Sequence, residues 1–445
     1  MSPSSRRDKP RERALYILRR TEEGNFADPL LDEARRDFNG RDSAFIHELV
    51  MGVLRNRSLL DWTLDRFSEK PVSRTDAWTR NILRLGVYQL IHLDRVPASA
   101  AVNTAAELAK EHGKKSGYVN GLLRTIDRNK ASLPLPATDN PLSRLSTIYS
   151  HPAWLVRRWL DRFGLSRAED MLRNNNRHAP LTIRTNTQKG KREELLGLLE
   201  AQGVQARPTQ YSPEAIEIIA SPSFATLPVY RDGWFMVQDE AAQLVAMILD
   251  PKKGEEVLDA CAAPGGKATH IAELMGNEGR VVALESDKKR IARIRENSER
   301  LGLTNVVPFL GDAAVFKEGS YNKVLIDAPC SGLGVLRRHP DGRWTKTEED
   351  LVERAKLQKK ILENCAKLVK TGGVLVYATC STEPEENEAV VRWFLDRNNA
   401  FTLGDPRPFL PHPAAHLVGG DLLFRTSPTE PSLDGFFAAR IIKRK

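Results

Sequence analysis

The sequence predicts a multidomain chain: an all-α bundle, then a small α+β module, then a mostly parallel α/β domain. Three observations predict this. The 445 residues exceed what one core accommodates, at roughly 150 residues per domain. Over the first 130 positions apolar residues recur at three-and-four spacing, the pattern of helices that each bury one face. From about Glu240 onward, short Val/Ile/Leu-rich runs alternate with helical patterns, as in a parallel sheet covered on both faces. The parts are placed at residues 1–140, 150–238 and 239–445.

In the first part, helices are predicted at residues 11–20, 43–67, 79–93, 98–111 and 118–128. The third carries Ile82, Leu85, Gly86, Tyr88, Gln89 and Ile91, and Pro97 ends the loop that follows. Pro134, Pro136, Pro141 and Pro152 cannot continue a helix, which predicts a linker at 131–150. The second part reads as helices at 153–163 and 167–174, a strand at 181–186, a helix at 191–202 and a strand at 215–220. In the third part strands are predicted at 256–260, 281–285, 306–309, 323–328 and 374–378, with a late antiparallel piece at 435–442. Helices at 267–275, 288–301, 351–369 and 385–397 lie between them. That alternation predicts a doubly wound, nucleotide-cofactor type of fold.

Composition narrows the class. Apolar residues make up 41% and charged residues 28%, as in soluble globular protein rather than a disordered tail. No window approaches 18 consecutive apolar residues, so no membrane span is expected. The apolar run from Ala14 to Leu18 is too short for a signal peptide, which makes a cytoplasmic location the expectation. Four cysteines without a CxxC pair give neither a disulfide framework nor zinc-ligand spacing, and no metal is expected. The net charge of +9 divides as +6 in residues 1–150, +1 in 151–240 and +2 in 241–445. Arg6, Arg7, Lys9, Arg11, Arg13, Arg19 and Arg20 cluster at the front, and a basic face of this kind meets phosphate backbones by displacing counterions.

The chemistry concentrates at the predicted strand ends. The first strand runs into Cys261-Ala262-Ala263-Pro264-Gly265-Gly266-Lys267 and then a helix; small residues there let backbone amides and a helix start approach a ligand. The run is not a P-loop, because Ala260 and Ala268 stand where Gly and Ser/Thr are needed, and G-x-G-x-x-G is absent. Glu285 closes the second strand 18 residues after Lys267, where a carboxylate accepts from ribose hydroxyls. Asp312 follows the third strand and Asp327 the fourth. Acids at three successive strand ends fit an adenosyl cofactor bearing positive ammonium and sulfonium groups. Cys330 follows the fourth strand and Cys380 the fifth, so both thiols are expected at one sheet edge, where an exposed thiolate can attack substrate. Cys365 reads as an inert mid-helix thiol and Cys261 as a small wall residue.

Three segments, "DACAAPGGK", "DAPCSGLG" and "YATCSTEPEEN", in this order and on these strands, resemble the Sun/Fmu family of RNA cytosine-5 methyltransferases. The stretch "RNILRLGVYQLIHLDRVPASAAVNTAAELAKEHGKKSGYVNGLLRTI" resembles a NusB-like helical RNA-binding domain. The combination resembles the bacterial branch of the family that acts on small-subunit ribosomal RNA. The resemblance implies a Rossmann-like class I methyltransferase domain, S-adenosylmethionine as cofactor and ribosomal RNA as partner. It also implies that residues matching Cys261 to Lys267, Glu285, Asp312 and Asp327 contact the cofactor. By resemblance, Cys380 is the covalent nucleophile and Cys330 assists release from methylated RNA. Two positions depart from the family pattern: Glu285, where Asp is common, and Ala268, where Thr is frequent.

Carbon 5 of cytosine is a poor nucleophile, so a thiolate must first add to carbon 6, making an enamine that takes the methyl group at carbon 5. Asp327 is placed to polarise the cytosine edge or to touch the cofactor. An unpaired cytosine is the economical target. Arg337, Arg338, His339 and Arg343 follow the first thiol in a donor-rich loop that is expected either to grip phosphate or to be a solvated loop. His339 reads as structural rather than as a base, and Trp344 either stacks on a base or caps a core. A DNA cytosine-5 methyltransferase is disfavoured by the second cysteine after Thr379 and by the basic helical front, and a tRNA enzyme is less favoured. A non-catalytic RNA-binding assembly factor is disfavoured by retention of both thiols. A monomer is expected.

Overall fold

A computed structural model describes residues 8–221, 224–430 and 432–444. Arg6 and Arg7 lie outside the described residues. The chain divides into two compact units: one runs to His178 and takes in Leu336–Lys346, and the other comprises Ala179–Val335 and the residues from Thr347 on. No helix among the described residues is long and apolar enough to cross a membrane.

The first unit is helical. Its helices span Lys9–Glu22, Ala27–Asp37, Gly40–Phe67, Ala77–His92, Ala98–Glu111, Ser116–Arg128, Pro141–Ile148 and Ala153–Asn175. Local chemistry sets the starts: Asp8, Asn39 and Asp76 each accept from a backbone N–H of the first turn. Gly52 and Gly86 are required by packing, since a Cβ would fall 1.9 Å from the Tyr88 ring and 2.5 Å from Leu123. Two sequence expectations are corrected. A helix at Ala27–Asp37 was not foreseen. The stretch expected to be a linker contains a helix, because Pro141 sits in its first turn, where no N–H is needed, and the Asn140 side chain caps it. The two helices expected at 153–163 and 167–174 are present, separated at Gly164, whose φ of 73° and ψ of 174° are non-helical.

Four arginines of the basic front have carboxylate neighbours within the fold. Arg11 lies 2.5 Å from Asp8, Arg13 3.0 Å from Glu33, and Arg19 and Arg20 lie 3.0 and 3.4 Å from Glu23. The donor-rich segment Leu336–Lys346 is also not a solvated loop. Arg337 and Arg343 are buried, and His339 lies 2.6 Å from Asp28. Trp344 donates its indole N–H to the Leu54 carbonyl at 2.7 Å and packs on the helical core. Arg343 donates to the carbonyls of Ser150 (3.0 Å) and Asn175 (3.1 Å) and to the Asn176 side chain (2.8 Å). Burial, with Arg55 nearby, pushes its pKa down to about 9; the ring of acceptors is what keeps the cation in place.

The second unit holds two sheets. The smaller is antiparallel, in the order β2-β3-β1-β4, from β1 (Leu181–Thr185), β2 (Gln205–Pro208), β3 (Ala215–Ala220) and β4 (Phe235–Val237). The sequence reading found β1 and β3 and missed β2 and β4, which are only four and three residues long. The larger sheet has eight strands: β5 (Glu256–Asp259), β6 (Arg280–Glu285), β7 (Val306–Leu310), β8 (Tyr321–Asp327), β9 (Val369–Thr379), β10 (Phe401–Gly404), β11 (Phe424–Arg425) and β12 (Phe437–Lys443). Their order is β10-β12-β9-β8-β5-β6-β7, with β11 on β12. Strands β5 to β9 are parallel, and β10, β11 and β12 pair antiparallel.

Side chains alternate across this sheet, as the pleat requires. Val257, Val281, Ala283, Leu325, Val374 and Val376 face a layer that includes residues of Glu240–Leu249, Gly266–Leu274 and Lys288–Leu301. Leu258, Val282, Leu284, Val324, Ile326, Leu375 and Tyr377 face residues of Glu348–Lys367 and Glu388–Leu395. Helices therefore cover both faces. The strand order reverses between β5 and β8, and the carboxyl ends there flank a crevice.

One prediction tests the packing of the inserted segment. Arg343→Met removes the donors from three buried acceptors and is expected to destabilise the helical unit by about 3 kcal/mol, seen as an earlier urea transition. An unchanged midpoint would show that those carbonyls are satisfied without the guanidinium.

Candidate active site

The loop after β5 is tied down from several sides. Ala262 N–H donates to the Leu284 carbonyl at 2.9 Å and Gly265 N–H to the Ala262 carbonyl at 2.7 Å. Arg290 donates to the Ala263 carbonyl at 3.1 Å and Asn297 to the Pro264 carbonyl at 3.0 Å, across a cis Ala263–Pro264 bond. Gly265 has φ of 102°, and a Cβ there would meet the Ile294 backbone at 3.3 Å, so glycine is required. Gly266 differs: a Cβ would sit 3.8 Å from Gln238, an ordinary contact. The protein's own packing leaves room there, which fits close approach of a ligand to that backbone.

From the smaller sheet, β1 reaches the same helix start. Arg184 is fully buried, pairs with Glu273 at 2.8 Å, and donates to the Gly266 carbonyl at 2.8 Å and to Gln238. His270, also buried, lies 2.8 Å from Glu214. These contacts brace the helix that begins at Gly266.

Asp259, at the end of β5, is fully buried, and among the described residues no side chain hydrogen-bonds to its carboxylate. Burial first, then the charge of Asp327, pushes its pKa up to about 7, with Lys267 pulling the other way. Sequence reasoning passed over this residue; its position as the acid immediately before the glycine-containing loop was the available signal. Lys267 Nζ lies 2.7 Å from Asp327 Oδ2 and 5.5 Å from the Phe436 ring. Burial opposes its charge, but Asp327, Asp259 and Cys380 outweigh burial and raise its pKa. Glu285 is buried, accepts from Asp287 N–H at 3.0 Å and faces Arg290 at 3.4 Å. Asp312 is exposed and spends one oxygen on Ala314 N–H at 2.8 Å, an Asx turn. Asp259, Glu285, Asp327 and Lys267 thus influence one another around the crevice, while Asp312 stands at its exposed rim. Cys261 is half-buried, and burial, then the Asp259 charge, pushes its thiol well up. Cys365 is buried, with its sulfur 3.6 Å from the Ala313 carbonyl.

The two remaining thiols meet. Asp327 on β8 is in register with Ala378 on β9, and the ladder continues through Ala328 N–H to the Ala378 carbonyl at 2.8 Å. Cys330 and Cys380 follow within a few residues, and their sulfurs are 3.3 Å apart, both half-buried. The Cys330 thiol is held well above its ordinary range, first by its hydrogen bond to Cys380 and then by burial. The Cys330 loop is bound to the other strand end, because Gly334 N–H donates to the Cys380 carbonyl at 3.0 Å and Gly435 N–H to the Gly334 carbonyl at 2.8 Å. A Cβ at Gly334 would lie 2.0 Å from the Gly435 oxygen, which explains the second glycine of "SGLG".

Behind the thiols lies a fully buried carboxylate, Glu386. Its Oε1 accepts from Ser331 N–H at 2.8 Å and Gln358 Nε2 at 3.1 Å, and its Oε2 from the Ser331 and Ser381 hydroxyls at 2.5 and 2.6 Å. Asn387 beside it accepts from Thr379 Oγ1 at 2.5 Å and donates to the Ser381 carbonyl at 2.9 Å. The sequence reading quoted these two residues without giving them a task. Among the described residues no group of three or more His, Cys, Asp or Glu is arranged to hold a metal ion.

The chain is similar to known proteins over most of its length. Residues 246–442 match the family described as 16S rRNA methyltransferase RsmB/F, residues 8–128 the NusB family, and residues 151–224 the RsmF/B-like ferredoxin-like domain. A probable ribosomal RNA small subunit methyltransferase B of Bacillus subtilis (strain 168) is 39% identical over 371 residues, 82% of this chain and 82% of that one. The ribosomal RNA small subunit methyltransferase B of Salmonella enteritidis PT4 is 34% identical over 429 residues, 95% of this chain and 96% of its own. Among solved structures, that of PH0851 covers 98% of both chains with a TM-score of 0.82 at 31% identity. A methyltransferase homolog from Pyrococcus horikoshii covers 69% of this chain and 100% of its own, with a TM-score of 0.59 at 30% identity. The chain belongs to the 16S rRNA methyltransferase RsmB/F family.

Proposed function

We propose that this chain methylates carbon 5 of a cytosine in small-subunit ribosomal RNA, with S-adenosylmethionine as methyl donor and a transient bond from Cys380 to the base. The observation that carries the reading is the pair of sulfurs 3.3 Å apart at the ends of β8 and β9, beside the Lys267–Asp327 ion pair. The RNA class follows from the relatives named above.

The crevice fits the donor. Residues Cys261 to Lys267 present the backbone of a loop and helix start, with Gly266 leaving space. Glu285 is the acceptor for a ribose diol, Asp312 stands at the rim, and Asp259 and Asp327 favour positive charge. S-adenosylmethionine supplies an electrophilic methyl carbon on a sulfonium.

The chain's own residues do the rest. Cys380, as a thiolate, adds to carbon 6 of an unstacked cytosine; the carbon 5–carbon 6 double bond opens, and carbon 5 becomes the nucleophile. Asp327, with Lys267 on its Oδ2, hydrogen-bonds the ring nitrogen or amino edge, where charge develops. After methylation a base removes the carbon 5 proton, the double bond re-forms, and Cys380 leaves as thiolate. Cys330, the protonated neighbour, assists that release.

Two predictions follow from these roles. Cys380→Ala is expected to abolish methyl transfer to ribosomal RNA while retaining donor binding, and Cys330→Ala to accumulate a protein–RNA adduct that survives denaturing electrophoresis. Normal turnover by Cys330→Ala would reverse the assignment, and no transfer by the unmodified protein would favour an assembly factor. Separately, Asp259 gains its charge as pH rises through about 7, so affinity for the cationic donor is expected to increase between pH 6 and pH 8. Calorimetric titration of Asp259→Asn is expected to flatten that dependence; an unaltered slope would remove Asp259 from donor binding.

A further inference from the structure

The Glu386 carboxylate has four hydrogen-bond donors and no Lys or Arg within ion-pair distance among the described residues. A buried charge of this kind is costly unless its donors compensate. Three of the four donors belong to residues that adjoin the thiols, and Gln358 supplies the fourth. Ser331 directly follows Cys330, and Ser381 directly follows Cys380. One carboxylate therefore holds the residue next to each thiol, and the two hydroxyls are themselves 3.2 Å apart. Tyr377, on β9 beneath them, donates to the Glu386 backbone carbonyl at 2.5 Å and fixes the loop from the other side.

We propose that Glu386 is a positioning residue acting on both thiols at once, locking the two cysteine loops so that the sulfurs stay in contact and a charge at Cys330 is disfavoured. The tether accounts for the sulfur–sulfur approach: neither loop can shift without breaking bonds to a group the other also uses. The negative charge acts in the same direction. The groups facing Cys330 are Cys380, Glu386 and Tyr377, and Lys267 lies on the Cys380 side. A second negative charge beside Glu386 is disfavoured at Cys330, whereas Cys380 has the Lys267 ammonium in its field. The Glu386 charge thus opposes a thiolate at Cys330. This inference rests on the proposed roles of the two thiols.

The test uses the full chain without RNA or methyl donor, and compares iodoacetamide alkylation of Cys330 and Cys380 across pH by peptide mass spectrometry. Glu386→Gln keeps the size and most of the tether, since serine hydroxyls can turn to accept from an amide, but removes the charge. The expected result is that the Cys330 profile moves to lower pH by about one unit, while Glu386→Asp, which keeps the charge, leaves that profile near the wild-type position. Ser381→Ala cuts one tether, keeps the charge, and is expected to leave the Cys330 profile in place but lower kcat by about tenfold or more with KM for the donor unchanged. An unmoved Cys330 profile in a folded Glu386→Gln protein would overturn the proposal. So would equal acceleration of both thiols at every pH in all three variants, the mark of mere loosening. If Glu386→Gln fails to fold, Ser381→Ala decides: unchanged kcat overturns the proposal. Because the alkylation readout involves neither RNA nor methylation, it separates failure of this inference from failure of the cytosine-5 reading.

Discussion

The site depends on the parallel pairing of β8 with β9 and on its register. With Asp327 opposite Ala378, the chain leaving β8 reaches Cys330 three residues later, and the chain leaving β9 reaches Cys380 two residues later. A slip of one residue would turn every side chain of the pair to the opposite face and exchange the two core layers. The alternating sets on either face resist such a slip because each strand residue is committed to its own helix layer. Register, and through it the distance between the sulfurs, is thus set by hydrophobic burial far from the chemistry.

Around that pair the fold gathers like charges and offsets them sparingly. Asp259, Glu285 and Asp327 come to adjacent strand ends because the strand order reverses between β5 and β8. Among the described residues, Lys267 and Arg290 answer them at ion-pair distance. The surplus negative potential is what a cationic donor requires, and it has a cost in the protein alone, visible in the raised pKa of Asp259. The smaller sheet contributes structurally: Arg184 crosses to Glu273 and to the Gly266 carbonyl, so the cofactor loop is braced by a separate piece of sheet.

The segment after the first thiol shows how a charged sequence can mislead. Arg337, Arg338, His339 and Arg343 read as phosphate donors, because composition alone cannot distinguish a guanidinium facing solvent from one facing carbonyls. Arg343 is enclosed by the ends of two helices and an Asn side chain, partners that lie about 170 to 190 residues away in sequence.

Periodicity and punctuation made much of the fold legible. The parallel strands and their covering helices follow from apolar runs and caps, which are local properties, and the ranges read from sequence for β5 to β8 lie within two residues of the strands. Residue type also marked the thiols, the strand-end acids and the loop before Lys267. Elements held by few local bonds stayed hidden, such as β2, β4 and the helix that Pro141 begins. The sequence by itself determined which chemical groups exist and which strand each one follows, because that order is covalent. Tertiary structure alone decided that Cys330 touches Cys380, that Asp259 is fully buried near the Asp327 charge and that Glu386 serves both cysteine loops. Each of those depends on distances between segments tens of residues apart, which only packing can set.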